Sequence, residues 1–371
     1  MEQPEVQAML QGIREARAAG EPVAWATIVG VTGSAYRREG TRMLVRRDGS
    51  YTCMLSGGCL EPEIVEVAQQ VMRDGQPVRT EYNLDEEVMW GLGIGCGGAV
   101  DVYIEPVQDE PVTNRWLEAL ERGELAVLAT PLEPGLGRLF VGEAASAGAL
   151  ADAGLEAQAR ARAHQVLQAL QPRAATHALR ASDGRTVPVF FDVSLPPAEL
   201  VIFGAGHDAV PLSRLAVQLG FRVQVVDMRD KFALPSRFPG AQVRLLRPEH
   251  FARALEVGPR TFVLVMNHNL LIDQSTLAFA LQTPAPYVGL LGPRSRFLKI
   301  AEGLAREGTP LTPEQLRRVR SPVGLAVGAE TPEEVALSIL AEVMALQRGY
   351  PAGFLNGLEG RIHDPTEAPV V

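Results

Sequence analysis

The chain has 371 residues, room for about two domains, with 46% apolar residues and 35 basic against 44 acidic side chains, a net charge of −9. That balance argues against a large nucleic-acid or anionic-membrane surface, and no apolar run approaches the ~20 residues that span a bilayer. Its 36 glycines and 27 prolines are too few for a collagenous or disordered chain, so they belong to loops.

In chain order, Val6, Met9, Leu10, Ile13 and Ala16 recur at helical spacing, and Gly20 stands where a C-terminal cap belongs. Residues 23–31 read as a buried strand. Residues 43–47 and 51–54 flank Asp48-Gly49, a hairpin turn, with Cys53 in the second strand. Ser56-Gly57-Gly58-Cys59-Leu60-Glu61-Pro62 then opens a helix that runs to about residue 73. A second glycine cluster, Gly91 to Gly98 around Cys96, precedes a strand at 99–105. Residues 1–110 thus form one α/β unit. The stretch 111–197 is less readable, with strands at 125–129 and 187–191 and an Ala-rich helix near 150–170, and is expected to pack with the first unit. Pro196-Pro197 closes it.

From Glu199 strand-like runs alternate with helical segments of about 10–15 residues, the pattern of a doubly wound, Rossmann-like parallel sheet. The fold class is therefore α/β: a mixed N-terminal domain followed by a Rossmann-like domain over 198–348, with a tail at 349–371. Thr331, Pro332 and Glu334 predict a capping box at the last helix.

Three constellations carry chemistry. Gly204-Ala205-Gly206-His207-Asp208-Ala209 lies between a strand and a helix, and Asp227 follows at the distance of a ribose-binding acid. Asp208 would repel a phosphate at the helix start. His207 either donates to an anion or caps the helix. His268, after the strand at 262–266, either meets a ligand in the same cleft as Gly206 or caps the next helix, and Arg294 and Arg296 stand at another such edge. The second constellation is Ser56, Gly57, Gly58 and Cys59 at a helix start, where a thiol is activated. The third is Gly95, Cys96 and Gly97. Each Gly-Cys loop has a structural alternative, a tight turn around a small thiol.

Other chemistries are excluded by count. Lys231 and Lys299 are the only lysines, and no GxxxxGK phosphate loop exists. The three cysteines form no CxxC pair, and the histidines fall in no zinc spacing. With no basic-then-apolar leader, a reducing cytoplasm is expected.

These residues resemble the XdhC/CoxI family, accessory proteins that mature xanthine and carbon monoxide dehydrogenases. The resemblance rests on Ser56-Gly57-Gly58-Cys59-Leu60-Glu61 and Gly93-Ile94-Gly95-Cys96-Gly97-Gly98. It continues through Gly204-Ala205-Gly206-His207, Met266-Asn267-His268, Tyr287-Val288-Gly289-Leu290-Leu291-Gly292 and Ser321-Pro322-Val323-Gly324-Leu325. It departs at Asn267, where the family has Thr, at Ala326, where it has Asp, and at Asp208, where it has an apolar residue. The resemblance implies a chaperone rather than a catalyst. Such a protein binds molybdenum cofactor (molybdopterin), holds it while a cysteine desulfurase supplies sulfur, and inserts it into the large subunit of an apo-molybdoenzyme. It implies that Cys59 and Cys96 contact molybdenum or carry a persulfide, with Ser56, Gly57, Gly58, Glu61, Gly95 and Gly97 around them. Gly204, Gly206, His207, Asp227 and His268 would form a crevice for the pterin phosphate or a nucleotide. A homodimer is expected. The alternative reading is an NAD(P)-dependent oxidoreductase built on the same crevice, and a scaffold that docks a dehydrogenase is a third.

Overall fold

The computed structural model describes residues 3–33, 35–83, 98–169 and 172–357. Cys96, Gly95 and Gly97 lie outside the described residues. The chain divides into two compact units, Met1–Pro196 and Pro197–Val371.

The first unit begins with α1 (Gln3–Ala19), then β1 (Val23–Gly33), β2 (Arg42–Arg46), β3 (Tyr51–Thr52), α2 (Glu61–Asp74), β4 (Val78–Asn83) and β5 (Gly98–Pro106). The five strands form an antiparallel sheet in the order β3-β2-β1-β5-β4. The chain continues through α3 (Pro111–Arg122), β6 (Ala126–Pro131), β7 (Gly137–Gly142), β8 (Ser146–Leu150), α4 (Ala153–Gln168), β9 (Ala175–Arg180) and β10 (Thr186–Ser194). These strands also form an antiparallel sheet, in the order β8-β7-β6-β10-β9. Element order and strand order are the same in the two halves. The stretch read as an intermediate region is a second copy of the first half.

The correspondence reaches individual residues. Gly20 and Gly123 end α1 and α3 in the left-handed conformation, at φ +67° and +61°. In each case the next amide, Glu21 or Glu124, donates to the carbonyl of Ala16 or Ala119 at 2.9 Å. Trp25 in β1 lies opposite Leu44 on one side and Glu105 on the other, while Leu128 in β6 lies opposite Phe140 and Asp192. That register makes Arg42 the counterpart of Arg138, and Glu105 the counterpart of Asp192.

Alternation along the strands sends one face of each sheet to its own helix. Ala24, Ala26 and Ile28 pack with Ile64 and Ala68 of α2; Val127, Ala129 and Phe191 pack with Leu155 and Ala159 of α4. The opposite faces meet α1 and α3 in one shared core, which includes Ile13, Trp25, Trp116, Leu128 and Phe140. Arg42 crosses this core to Asp192, and Arg138 crosses it to Glu105. Trp25 Nε1 donates to Glu105 at 2.6 Å, and the Arg42 guanidinium lies 4.9 Å from the centre of the Trp25 ring.

The second unit is doubly wound. Its elements are β11 (Glu199–Phe203), α5 (Ala209–Gln218), β12 (Arg222–Asp227), β13 (Gln242–Leu245), α6 (Phe251–Ala254), β14 (Thr261–Val265) and α7 (Leu270–Leu281). They are followed by β15 (Tyr287–Leu290), α8 (Arg294–Arg306), α9 (Pro313–Arg318), β16 (Val319–Arg320) and α10 (Pro332–Arg348). All neighbouring strands are parallel, in the order β13-β12-β11-β14-β15-β16. This is the Rossmann order, whose switch point lies between the first and fourth strands, here β11 and β14. Leu212 of α5 and Ile339 of α10 cover one face; Leu277 of α7 and Ile300 of α8 cover the other. The capping box at Thr331 and Glu334 forms as its sequence predicts.

Candidate functional site

The first unit places an exposed thiol at the joint between β3 and α2. Cys59 is free and exposed. Gly58, at φ +107°, turns the chain away from a helical path, so α2 starts only at Glu61. The amides of Gly58, Cys59 and Leu60 converge on Ser56 Oγ, at 3.3, 3.0 and 3.1 Å. The Ser56 hydroxyl donates to Glu61, and the Ser56 and Leu55 amides donate to the other Glu61 oxygen at 2.7 and 3.0 Å. Ser56 thus takes the amides that converge in this turn. What stays open is the space outside: a Cβ added at Gly57 or Gly58 meets nothing within 4 Å.

Burial by itself would raise the Glu61 carboxyl, but hydrogen bonds from Ser56 and the loop amides outweigh it and hold the group below the usual carboxylate range. Glu61 is 1% exposed, so it faces the protein. Cys53, read as a strand residue, stands just past β3 with a left-handed φ of +67°. It is half-buried, and burial pushes its thiol up.

The corresponding joint of the second copy is closed. Asp152 caps α4 by accepting the Leu155 amide at 2.7 Å. Ser182, in the hairpin between β9 and β10, donates to Asp152 at 3.0 Å and accepts the Gly154 amide at 3.3 Å. Gly154 stands in register with Cys59, and a Cβ there would lie 2.8 Å from Ser182 Oγ. One joint presents a thiol where a side chain in the other would crowd Ser182.

In the second unit the switch point brings Gly206 and Asp208 to His268, with Gly204 against Met266 and the His207 ring against Phe232. Gly204 has φ +111°, and a Cβ there would lie 2.4 Å from the Met266 carbonyl oxygen, so only glycine fits. A Cβ on Gly206 would sit 3.7 Å from the His268 ring. His268 adopts a left-handed φ of +59° and sets Nε2 3.4 Å from Asp208. The cap of α7 is Asn269 rather than His268.

Asp227 is engaged within the protein. One oxygen accepts the Ala205 amide at 2.7 Å and the Arg229 guanidinium at 2.6 Å, and the other accepts the Arg229 amide and Nε. Burial opposes ionisation, but these bonds hold its carboxyl below the usual range. Sequence reasoning missed Arg229 and also Arg237, which donates to the carbonyls of Ala205 and Gly206 and so clamps the glycine loop. Arg296, at the edge after β15, is paired with buried Asp273.

Among the described residues no group of three His, Cys, Asp or Glu side chains is placed to hold a metal ion, and no helix is long and apolar enough to cross a membrane. Residues 16–83 match the model of the XdhC and CoxI family, and residues 200–343 match that of the XdhC Rossmann domain. The chain is 30% identical over 333 residues to a protein of Bacillus subtilis (strain 168) described as a probable subunit of xanthine dehydrogenase, covering 88% of this chain and 94% of that protein. It is 24% identical over 345 residues to the molybdenum cofactor insertion chaperone PaoD of Escherichia coli (strain K12), with 90% and 86% covered. A crystal structure of a xanthine dehydrogenase from Bacillus halodurans matches with a TM-score of 0.73 at 30% identity, covering 92% of this chain and 96% of that one.

Proposed function

Because the chain belongs to the XdhC and CoxI family, we propose that it binds molybdenum cofactor and passes it to an apo-molybdoenzyme of the xanthine dehydrogenase type. The observation that carries this reading is the exposed Cys59 thiol at a joint opened by Ser56, Gly57 and Gly58. Thiolate is a soft donor, suited to a thiophilic metal or to carrying sulfur. The open space outside Gly57 and Gly58 fits a bulky ligand held by that donor. The cofactor would be cargo here: Cys59 would hold its molybdenum end at the surface, where a partner cysteine desulfurase could reach it.

Cys96 is assigned to the same task. That assignment follows from the match of Gly93-Ile94-Gly95-Cys96-Gly97-Gly98 to the family's second Gly-Cys motif. In the second unit Gly204, Gly206 and His207 are the place for an anionic group, with His268 on the rim. Asp227, engaged by Arg229, holds the glycine loop instead of a ribose, which weighs against a dinucleotide enzyme. The protein works in the cytoplasm as a homodimer.

The test is anaerobic purification from a host that makes molybdopterin, followed by oxidation and pterin fluorescence. Stoichiometric pterin is expected. Protein that copurifies with the apo-dehydrogenase and never with pterin would sink the reading in favour of a scaffold.

A further inference from the structure

The joint at residues 55–61 has an internal comparison in its counterpart at 150–156. Leu55, Leu60 and Glu61 stand in register with Leu150, Leu155 and Glu156. In both copies the glutamate turns back to accept the amide of the first leucine, at 3.0 Å, while the second leucine is buried. The second copy presents no thiol at this joint, yet it keeps this leucine–glutamate frame. The frame is therefore what the turn from strand to helix needs, whatever the joint carries. The four positions between the leucines differ: Ser56, Gly57, Gly58 and Cys59 against Ala151, Asp152, Ala153 and Gly154.

The first copy adds one connection to the frame. Glu61 holds the Ser56 hydroxyl with the oxygen that the Leu55 and Ser56 amides leave free. With its proton committed to Glu61, Ser56 Oγ offers its lone pairs to the amides of Gly58, Cys59 and Leu60. The backbone at Cys59 is thereby fixed by a side chain that is itself fixed by Glu61. In the second copy Asp152 and Ser182 do the equivalent work, and Glu156 gives its other oxygen to Arg160.

We infer that Glu61 is a positioning residue: through Ser56 it sets the backbone that presents Cys59, and it does not meet the ligand itself. This rests on the reading of Cys59 as a cofactor contact. Glutamine at 61 would turn an NH₂ group either toward two amide donors or toward a hydroxyl whose oxygen already serves three donors, so one side of the latch fails. Alanine at 56 would remove the hydroxyl and release the three amides while leaving the Glu61 bonds to the backbone.

The experiment uses the full chain without cofactor and compares the wild type with Glu61→Gln, Ser56→Ala, Ser56→Thr and Glu156→Gln. Hydrogen exchange of residues 55–61 and the rate of Cys59 alkylation at fixed pH are read by mass spectrometry. Ser56→Ala and Glu61→Gln are expected to speed exchange at Gly58 to Leu60 by about tenfold, the loss of one hydrogen bond, and to change the Cys59 rate. Ser56→Thr, which keeps the hydroxyl, restores both, and Glu156→Gln leaves both unchanged. If Glu61→Gln does not fold, Glu61→Asp, whose shorter carboxylate draws back from the Ser56 hydroxyl, replaces it with the same expectation and the same overturning result. Wild-type exchange and alkylation in Ser56→Ala, or equal effects from Glu61→Gln and Glu156→Gln at Cys59, would overturn the inference. Since no cofactor is present, these results stand apart from pterin binding, whose absence would defeat the functional reading instead.

Discussion

Arg42 and Asp192 form an ion pair in the shared core of the first unit, each side chain only 5% exposed, and they come from different halves of that unit. The pair has a reciprocal partner in Arg138 and Glu105, in which the half that gave the arginine now gives the acid. This is the exchange seen at a two-fold interface, where residue i meets j and j meets i, drawn here within one chain.

Removing either acid leaves a guanidinium in the core without its counter-charge. Asp192→Ala and Glu105→Ala are each expected to cost about 3–5 kcal/mol, the usual loss on breaking a buried pair. Glu133→Ala, which breaks the exposed pair with Arg185, should stay within about 1 kcal/mol. Urea unfolding measures all three, and equal small losses would mean that the crossed pairs do not hold the halves.

Glycines at the two joints should respond in opposite ways. Gly154→Ala drives a Cβ to 2.8 Å from Ser182 Oγ and should destabilise by roughly 1–3 kcal/mol. Gly57→Ala meets open space and should stay within about 0.5 kcal/mol. Thermal melts that rank the two variants the other way would contradict the closed and open assignments.

Acid should loosen the first joint through Glu61. Its folded carboxyl lies below the ordinary value of 4.5, so the unfolded chain binds the proton more readily. The stabilisation is full above that ordinary value and is lost as pH falls through the depressed folded one. Stability of the wild type measured from pH 7 downward should therefore fall more steeply below about pH 4.5 than that of Glu61→Gln. Parallel curves would show that the carboxylate is not engaged as described.

The engaged state of Asp227 predicts no micromolar NAD binding by calorimetry. Its two oxygens serve Ala205 and Arg229, and a ribose diol would have to displace a charged bidentate partner. A micromolar isotherm with NAD would revive the oxidoreductase reading.

Legibility in the sequence followed burial. The strands of the second unit are covered on both faces, so β11 and β14 read as plain apolar runs, and Thr331 with Glu334 marked α10 by its cap chemistry. By contrast β4, with the sequence VRTEYN, is an edge strand with mostly exposed side chains, and β8, SAGAL, offers almost no apolar alternation. The duplication was hidden because paired positions keep burial and not identity: Ile13 answers Trp116, and Leu44 answers Phe140. Its faint written traces are Gly-Glu followed by Ala-Thr at 20–27 and 123–130, and Leu with Leu-Glu at 55–61 and 150–156. Cys59 could be singled out from its glycines. That Glu61 folds back onto Ser56 could not, because a glutamate in a first helical turn has the same sequence signature whether it faces a ligand or its own loop.

The most direct measurement is molybdopterin retained per chain after anaerobic purification, in the wild type and in a Cys59→Ala/Cys96→Ala double variant of matched stability. The account predicts stoichiometric pterin in the wild type and a loss of at least about tenfold in the variant, the ~1.4 kcal/mol expected at minimum for removing direct contacts. Undiminished pterin in the double variant would contradict it.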